Sequence, residues 1–546
     1  MLWLLHAAGA PSVYAAEPPD AALSQRLLEA RAAAAVPNAC TQPNADRLIR
    51  VLCAGRLRVG VRQSYPLFSE VRDGNRTGYE IEIVRDIAAR LGVGVAFVNV
   101  EASNRIQFLA DDKIDLVVAE MGDNVQRARQ VRFIRPHYER SQTILVGPND
   151  GRSGDWNAVD GQTVCVTVGN GSNARMLSHG IRLMLFDTAE ALVDRLTDGT
   201  CDWAAQDDSF FAYYFTLPDF RTRFAPKFGF SEVPWGMAVA RDGSEQLARV
   251  LDLMSQVFHR DGVFLTAAWA NHIDTVFLAQ QRGVWSRAGC DTASGSADPA
   301  CVLPSADASM PATSFAAAVT AFEVWVHRTF GFEPMLPMLK TVPAWDLFLD
   351  GIVNSLVLVA GALAATLVFA VLFGRALGSH AWPLRWLARG IAIVLQSSPI
   401  LLTLVVAAAV LHALAPNSAT IALAAAILAL GASNGANAGQ AISEAYLTLQ
   451  AEAPDRAPDR HLFRDALRRS ATQIMSFLIN AAKGTPIASF IGAPELLTAL
   501  TDISSFSTGR ATTYTLLLVF YTVVVMVVVW LMHRFQLMLE RGHRPA

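Results

Sequence analysis

A run of twenty-four uncharged residues, from Gly351 to Gly374, constrains this chain more than any other feature. At ~1.5 Å per residue, a helix of this length crosses the ~30 Å hydrocarbon layer of a membrane. Before the run the chain is polar and punctuated like a soluble α/β protein, and after it further long apolar runs dominate. The sequence therefore predicts a soluble N-terminal half and a membrane-spanning C-terminal half.

The membrane half is predicted to contain five spanning helices. After the first run, residues 391–443 carry no Asp, Glu, Lys or Arg, which allows two spans broken near 414–418. Further spans are predicted at 471–492 and 511–532. A charge inside a bilayer is costly, so Lys483 in the fourth span is expected to face neighbouring helices or a translocation pathway. Arginines follow the first and third spans, which places those loops in the cytoplasm and the soluble half outside.

All six cysteines lie before the first membrane run, and an even number there indicates an oxidising compartment. Short spacing predicts the pairs Cys40–Cys53 and Cys290–Cys301, and neighbouring strands predict Cys165–Cys201. Residues 1–16 combine an apolar core with small residues before a cleavage site, which is typical of an export signal. An irregular N-terminus without signal function is the alternative. Residues 17–55 are then an N-terminal extension with a helix near 21–35.

The soluble half alternates strands and helices. The pattern predicts strands at 57–61, 93–100 and 114–121 around a helix at 78–92, and then strands at 163–169, 181–187 and 201–208 with a helix at 189–199. Such βαβ series give mostly parallel sheets with helices on both faces. Two series in succession predict a bilobed clamp over residues 56–273.

Between clamp and membrane, residues 274–345 are predicted to be a linker. Residues 281–313 are rich in Ala, Ser, Gly and Pro, and 314–330 form an amphipathic segment that lies on the membrane surface or packs as an ordinary helix. Residues 346–546 form the membrane domain. The net charge of -3 and the lack of a basic stripe exclude nucleic-acid binding, and no cofactor motif is present in the chain.

The clamp resembles the type II extracellular solute-binding proteins of ABC importers for polar amino acids. The resemblance rests on LRVGVRQSYPLF (57–68), TGYEIEIVRDIAARLG (77–92), KIDLVVAEMGDNVQRARQVRF (113–133), EVPWGMAV (232–239) and HRDGVFLTAAW (259–269). Within that family, VRQS (61–64), SNRIQFL (103–109), DNVQRARQ (123–130) and QDD (206–208) are most similar to the glutamate/aspartate branch.

The resemblance implies a set of ligand-binding residues. Arg127 would hold the α-carboxylate, Arg62 and Arg105 the side-chain carboxylate, and Asp207 the α-ammonium, because guanidinium groups bind carboxylates through paired hydrogen bonds. The remaining candidates wall the cleft or donate hydrogen bonds: Ser64, Tyr65, Phe68, Asn124, Asn170 and Ser172. Glu120 stands where the acidic branch has a small hydroxyl residue, so it would repel an acidic ligand or pair with an arginine.

The membrane half resembles the amino-acid-type permeases of ABC importers. The strings that carry the resemblance are LQSSPILL (395–402), ALGASNGANAGQAISEAYLTL (429–449), FRDALRRS (463–470) and LINAAKGTPIASFIGAPEL (478–496). It implies a multi-pass protein of the bacterial inner membrane that pairs as a homodimer, with its solute-binding domain in the periplasm. No GxxxxGK[ST] motif occurs in the sequence, so ATP would be hydrolysed by a separate cytoplasmic subunit.

Two other functional classes remain open. A ligand-gated channel or sensor also joins such a clamp to membrane spans, although here the clamp ends before the first span. An enzyme built on the clamp would need catalytic groups, and the sequence offers no nucleophile–base pair and no histidine cluster with metal-ligand spacing. The sequence therefore favours a fused receptor and permease for an acidic amino acid.

Overall fold

The computed structural model describes residues 19–42, 44–151, 154–159, 162–287, 290, 301–306, 310–332, 334–414, 419–452, 460–507 and 510–541. The predicted export signal at 1–16 lies outside the described residues. The chain divides into two compact units, Met1–Ser309 and Met310–Ala546, and the division falls inside the predicted linker.

The first unit is built from strands and short helices. Its strands are β1 (Arg56–Val61), β2 (Glu70–Arg72), β3 (Asn75–Thr77), β4 (Gly94–Asn99), β5 (Leu116–Val117), β6 (Val131–Phe133), β7 (Glu139–Pro148), β8 (Thr163–Thr167), β9 (Arg182–Phe186), β10 (Trp203–Asp207), β11 (Phe224–Trp235) and β12 (Ala238–Ala240). Its helices are α1 (Pro19–Ala34), α2 (Arg47–Ala54), α3 (Tyr79–Leu91), α4 (Arg105–Ala110), α5 (Val125–Ala128), α6 (Asn173–Leu177), α7 (Ala189–Thr197), α8 (Asp208–Tyr214), α9 (Pro218–Arg223), α10 (Glu245–Asp261), α11 (Val263–Ala270) and α12 (Val276–Trp285).

The first unit has two five-stranded sheets, one in each lobe. The strand order is β4-β1-β5-β12-β6 in the first lobe and β11-β7-β10-β8-β9 in the second. In each sheet three strands are parallel, and the other two run antiparallel to their neighbours. The prediction of two α/β lobes is confirmed. It missed the antiparallel strands, because they arise where the chain passes from one lobe to the other.

The chain crosses between the lobes twice. Residues 134–138 lead from β6 to β7, and residues 236–237 lead back from β11 to β12. The backbone N–H of Ile134 donates to Met237 at 2.8 Å, and that of Tyr138 donates to Trp235 at 3.1 Å. These two hydrogen-bonded segments form a hinge, and the cleft lies between the lobes that they join.

Alternating side chains explain why the first lobe folds as it does. Leu57, Val59 and Val61 on β1 are fully buried, and Ile83 and Ile87 on α3 lie in the same core. A helix with apolar residues at this spacing buries one face against the sheet. The predicted strand and helix there begin and end within two residues of β1 and α3.

All three predicted disulfides are present: Cys40–Cys53, Cys165–Cys201 and Cys290–Cys301. Cys165 lies on β8, whereas Cys201 lies two residues before β10 rather than on it. β8 and β10 pair directly, with Trp203 opposite Val164. Adjacent parallel strands therefore bring the middle pair together, as the sequence predicted.

The second unit is helical in the described residues. Its helices are α13 (Ala316–Phe330), α14 (Val342–Leu377), α15 (Trp382–Ser397), α16 (Ile400–Leu414), α17 (Ala419–Glu452), α18 (Arg460–Arg469), α19 (Ala471–Gly484), α20 (Leu496–Phe506) and α21 (Arg510–Arg541), with 3-10 turns at Pro337–Leu339 and Thr485–Ile491. On α13, Phe322 and Trp325 are exposed and Val326 is buried, and its proposed place on the membrane surface stays a prediction.

Among the described residues of the second unit, four stretches are long and apolar enough to cross a membrane: Val342–Leu377, Ile421–Glu452, Ala471–Ile491 and Thr512–Arg534. A fifth span arises only if α15 and α16 count as one, and these helices meet at 116° beside Ser398 and Pro399. The second predicted span is therefore a bent pair and not a straight helix, because Pro399 cannot donate the backbone hydrogen bond that a continuous helix needs.

Helices α14 and α17 pack closely through a row of glycines. Gly431, Gly435 and Gly439 follow one another at intervals of four residues on α17. A Cβ built on Gly435 would lie 2.4 Å from Cβ of Phe369 on α14, which is closer than two carbon atoms can approach. Small residues at this spacing let two helix backbones come together inside a membrane.

Candidate functional site

The predicted binding residues meet in the cleft between the two lobes of the first unit. It encloses a cavity of about 40 Å³, lined by Arg62, Tyr65, Ala102, Arg105, Glu120, Gly122, Arg127, Thr167, Asn170, Gln206, Asp207, Val233 and Trp235. Small-molecule sites have cavity volumes of ~300–1,000 Å³, so this cavity is too small to hold an amino acid as it stands. The cleft is thus closed, and the lobes must separate to admit an amino acid.

Two of the charged side chains lie at the carboxyl ends of strands, where the two sheets face the cleft. Arg62 follows β1 directly, and Asp207 is the last residue of β10. The carboxyl ends of parallel strands are where open α/β sheets hold their ligands. Each lobe therefore contributes charged groups to the same space.

Arg127 lies on the first lobe and reaches across to the second. Its guanidinium donates to Gly122 O at 3.0 Å and to Gly169 O at 2.9 Å. Its backbone N–H donates to Asn124 Oδ1 at 2.8 Å, so that Asn124 caps α5. Burial, with the nearby Arg105 adding to it, lowers the pKa of Arg127 to about 9, although part of the side chain remains accessible to solvent.

Asp207 faces the first lobe from the second. The hydroxyl of Tyr65 donates to Asp207 Oδ2 at 3.3 Å. Burial, and then repulsion from Asp208, raises the pKa of Asp207 to about 7. Arg127 and Asp207 therefore provide a cation and an acid from opposite walls of one cleft.

Arg62 is occupied by two carboxylates. Its Nη1 lies 2.6 Å from Glu101 Oε2, and its Nε lies 3.6 Å from Glu120 Oε2. Arg62 is only 4% exposed, and burial raises the pKa of Glu101. Of the two expectations for Glu120, the structure shows pairing with an arginine.

Glu120 is held in an unusual conformation beside a second acid. Its φ of 46° lies in the left-handed region, which is uncommon for residues other than glycine. Its backbone N–H donates to Glu80 Oε1 at 2.9 Å, and the hydroxyl of Tyr138 donates to the same oxygen at 2.5 Å. Burial and the neighbouring Glu80 raise the pKa of Glu120 well above its ordinary value, while Arg62 and Arg105 act in the opposite direction.

Arg105, like Arg127, has no carboxylate within ion-pair distance among the described residues. Its Nη1 donates to the carbonyl of Ala119, while its Nε is buried without a hydrogen-bond partner in the part of the chain that the structure describes. Burial lowers its pKa. A ligand carboxylate would find a spare donor here, whereas Arg62 already lies within ion-pair distance of Glu101 and Glu120.

The second lobe supplies a row of neutral polar groups. Asn170 Nδ2 donates to Gln206 Oε1 at 3.2 Å, and Gln206 Nε2 donates to Thr167 Oγ1 at 2.9 Å. Gln206 and Thr167 both end or nearly end a strand. These amides and hydroxyls can bind a polar ligand without adding charge.

Comparison with known proteins identifies this unit. Residues 57–321 match the model of the bacterial extracellular solute-binding proteins, family 3. This segment is a solute-binding domain of that family. Its lobes, with two crossing segments, have the type II periplasmic-binding-protein fold, and the match extends past residue 273, where the sequence resemblance ended.

The relatives of the solute-binding domain differ in function. The cyclohexadienyl dehydratase of Pseudomonas aeruginosa is 26% identical over 31% of this chain and 66% of its own length. A probable histidine-binding protein of Campylobacter jejuni is 26% identical over 21% of this chain and 44% of its own length. The crystal structure of the cysteine-binding protein from Campylobacter jejuni aligns with a TM-score of 0.39 at 26% identity, covering 42% of this chain and 96% of that one. The matched part of this chain spans less than two thirds of the length of these two curated relatives.

Seven of the eleven predicted site residues line the cleft of the solute-binding domain: Arg62, Tyr65, Arg105, Glu120, Arg127, Asn170 and Asp207. Four do not. Phe68 is buried against Tyr65 and Trp235, with ring centroids 5.6 Å and 5.4 Å away, so it supports the wall from behind. Asn124 caps α5, and Ser64 and Ser172 lie outside the lining.

The predicted set of binding residues lacked six of the residues that line the cleft: Ala102, Gly122, Thr167, Gln206, Val233 and Trp235. Gln206 and Trp235 belong to the strings QDD and EVPWGMAV, so strand-end position within a recognised string was an available signal. Glu101 was missed as well, because nothing in its local sequence shows that it reaches Arg62.

Proposed function

We propose that the solute-binding domain captures a free amino acid outside the cytoplasm and that the second unit is the permease through which the amino acid enters the cell. The observation that carries the proposal is that Arg127 and Asp207 line one cleft from opposite lobes. A guanidinium fits an α-carboxylate, and a carboxylate fits an α-ammonium. The probable histidine-binding relative supports the ligand class.

The closed cleft explains how binding and closure are linked. The bond from Arg127 to Gly169 O joins the two lobes, as does the bond from Tyr65 to Asp207. When the lobes separate, both bonds break and both charged groups become available to a ligand. An amino acid bridging Arg127 and Asp207 then replaces these contacts and draws the lobes together.

For the side chain of the ligand we propose a carboxylate, as in glutamate or aspartate. Arg105 has a spare buried donor, and the pairing of Glu120 with Arg62 lessens the repulsion that an acidic ligand would otherwise meet. This assigns the main role to Arg105 and a lesser one to Arg62, whose charge Glu101 already balances. A cationic ligand is the alternative, since an ionised Glu120 would favour it.

Calorimetry on the full chain in detergent, against all common amino acids, tests this proposal. Glutamate or aspartate should bind most tightly, and Arg127→Ala should weaken every ligand at least about tenfold, since a charge-assisted hydrogen bond contributes ~1.5–3 kcal/mol. Arg129→Ala, an exposed neighbour at the end of α5, is the matched control. Unchanged binding in Arg127→Ala would contradict the proposed binding of the α-carboxylate by Arg127. A preference for arginine or lysine would contradict only the acidic specificity.

The permease role draws on the membrane-spanning stretches of the second unit and on the strings that resemble amino-acid permeases. It requires a cytoplasmic ATP-hydrolysing subunit and, by the resemblance, a second copy of this chain. In vesicles that contain the chain and a candidate nucleotide-binding subunit, the amino acid should stimulate ATP hydrolysis. Ligand-dependent ion conductance without ATP would instead identify a ligand-gated channel.

A second candidate is a lyase acting on a carboxylic acid in the same cleft. The observation that favours it is a pair of buried acids with raised pKa, Asp207 and Glu120, because a protonated acid can serve as a general acid. The named dehydratase among the relatives belongs to this class of reaction. Loss of water from a bound carboxylic acid, followed by mass spectrometry, distinguishes it from transport.

A further inference from the structure

The solute-binding domain contains a second cavity that the amino-acid site does not use. Its volume is about 480 Å³, and it is lined by Leu67, Phe68, Glu139, Arg140, Ser141, Gln142, Asp208, Ser209, Ala212, Glu232, His272, Ile273, Asp274, Val276 and Phe277. The lining comes from both lobes and from the segment before α12. Small-molecule sites have volumes of ~300–1,000 Å³, so this cavity is large enough for a ligand.

Carboxylates dominate the charge of this cavity. Four acids line it, and these are Glu139, Asp208, Glu232 and Asp274. Arg140 is the permanent cation in the lining, and its Nη1 lies 2.7 Å from Glu232 Oε1. One acid is thus balanced, and the other three have no ion-pair partner among the described residues, although Asp208 Oδ1 accepts hydrogen bonds from Ser141 Oγ and from the backbone N–H groups of Gln142 and Ser209.

Glu139 is a buried acid of this cavity with one carboxyl oxygen unpartnered in the described part of the chain. It is 4% exposed, and its Oε1 accepts a hydrogen bond from the backbone N–H of Arg140 at 3.0 Å. Its Oε2 is buried without a hydrogen-bond partner among the described residues. Burial raises the pKa of Glu139 to about 8, with Asp274 and Asp208 adding to the effect. An unpaired buried carboxyl oxygen costs free energy that a cationic partner would recover.

The rest of the lining suits the carbon skeleton of an organic cation. Phe68 and Phe277 present aromatic rings, and Val276 is an exposed aliphatic residue beside Asp274. The residues that the structure describes hold no group of three or more metal-ligating side chains in binding geometry. We propose that this cavity binds a small organic cation with a primary ammonium group, which Glu139 receives together with Asp208 and Asp274.

The cavity and the amino-acid cleft are adjacent, and the contacts of Tyr65 with Asp207 and Ser209 lie between them. Asp207 lines the cleft, and its neighbour Asp208 lines the cavity. The hydroxyl of Tyr65 lies 3.3 Å from Asp207 Oδ2 and 3.4 Å from Ser209 Oγ, so one side chain touches both walls. The second site is therefore distinct from the first, yet adjacent to it.

Calorimetry with 1,4-diaminobutane on the full chain in detergent tests the proposal. The diamine should bind at one site per chain, and 1,4-butanediol, which has the same length without charge, should not. Glu139→Gln and Asp274→Asn should each weaken diamine binding at least about tenfold. Asp86→Asn, an exposed acid on α3, is the control and should leave diamine binding unchanged. Because Asp274 is exposed, its variant still tests the site if Glu139→Gln does not fold.

Three results would overturn the proposal. The first is an absence of diamine binding, or binding equal to that of the diol. The second is diamine binding that both Glu139→Gln and Asp274→Asn leave unchanged. The third is complete displacement of the diamine by calcium or by the amino acid of the cleft, since these would identify a metal site or the cleft itself.

Discussion

Arg62 and Glu101 form an ion pair in the cleft, with 2.6 Å between Nη1 and Oε2. Arg62 follows the first strand, and Glu101 stands thirty-nine residues later in a loop after β4. Glu101 therefore competes with any ligand carboxylate for Arg62. Under the proposed acidic specificity, the preference for an acid over its amide would therefore depend on Glu101, which does not line the cavity.

Replacing Glu101 by Gln should raise the affinity for glutamate and aspartate and leave that for glutamine and asparagine nearly unchanged. The reason is that Arg62 loses one of its carboxylate partners and becomes free for the ligand. We expect at least about a tenfold change in the ratio of the acid to the amide dissociation constants, measured by calorimetry. Glu245→Gln, an exposed acid at the start of α10, is the control. An equal effect on acids and amides would contradict the assigned role of Arg62.

Amino-acid binding should weaken as the pH falls from 8 to 6. Burial raises the pKa of Asp207 to about 7, so the carboxylate that receives the α-ammonium becomes protonated over this range. The sign follows because the ligand binds the ionised form and protons compete with it. Dissociation constants measured at pH 6, 7 and 8 test this, and Asp207→Asn should flatten the profile while weakening binding throughout. A profile that keeps its slope in that variant would assign the titration to another group.

Replacing Gly435 by Leu should destabilise the second unit. A side chain there would collide with Phe369 and separate α14 from α17, and overpacking typically costs ~1–3 kcal/mol. Thermal unfolding of the full chain in detergent should occur several degrees lower, roughly as this free energy implies. Gly390→Leu is the matched control, because a Cβ at that helical glycine meets nothing within 4 Å. Equal unfolding temperatures for the two variants would show that the glycine row is not a packing requirement.

Lys483 remains a prediction for the translocation pathway. It lies near the end of α19, and its side chain is exposed in the second unit as described. Lys483→Leu should lower uptake by vesicles that contain the chain and its ATP-hydrolysing partner, while calorimetric binding of the amino acid stays the same. Lys483→Arg keeps the charge and should retain most of the uptake. If Leu is tolerated without loss of uptake, the residue serves no transport role.

The sequence by itself determined the two units, the disulfides and most helices and strands of the clamp. These features depend on local patterns, such as the uncharged run at 351–374 and the alternation of buried residues on β1. Such patterns involve residues that are close together in the sequence, so they can be read without the fold. The sequence also predicted Arg127 and Asp207 as cleft residues, because both stand in strings that resemble the solute-binding family, and both line the cleft.

Only the tertiary structure decided how the charges of the cleft are distributed. Glu101 reaches Arg62, Glu120 lies beside Glu80, and Arg105 keeps a spare donor, although none of these relations is visible in the local sequence. The antiparallel strands at the hinge likewise arise where distant segments meet. Ion pairing and burial depend on distances between residues far apart in the chain, and folding alone sets those distances.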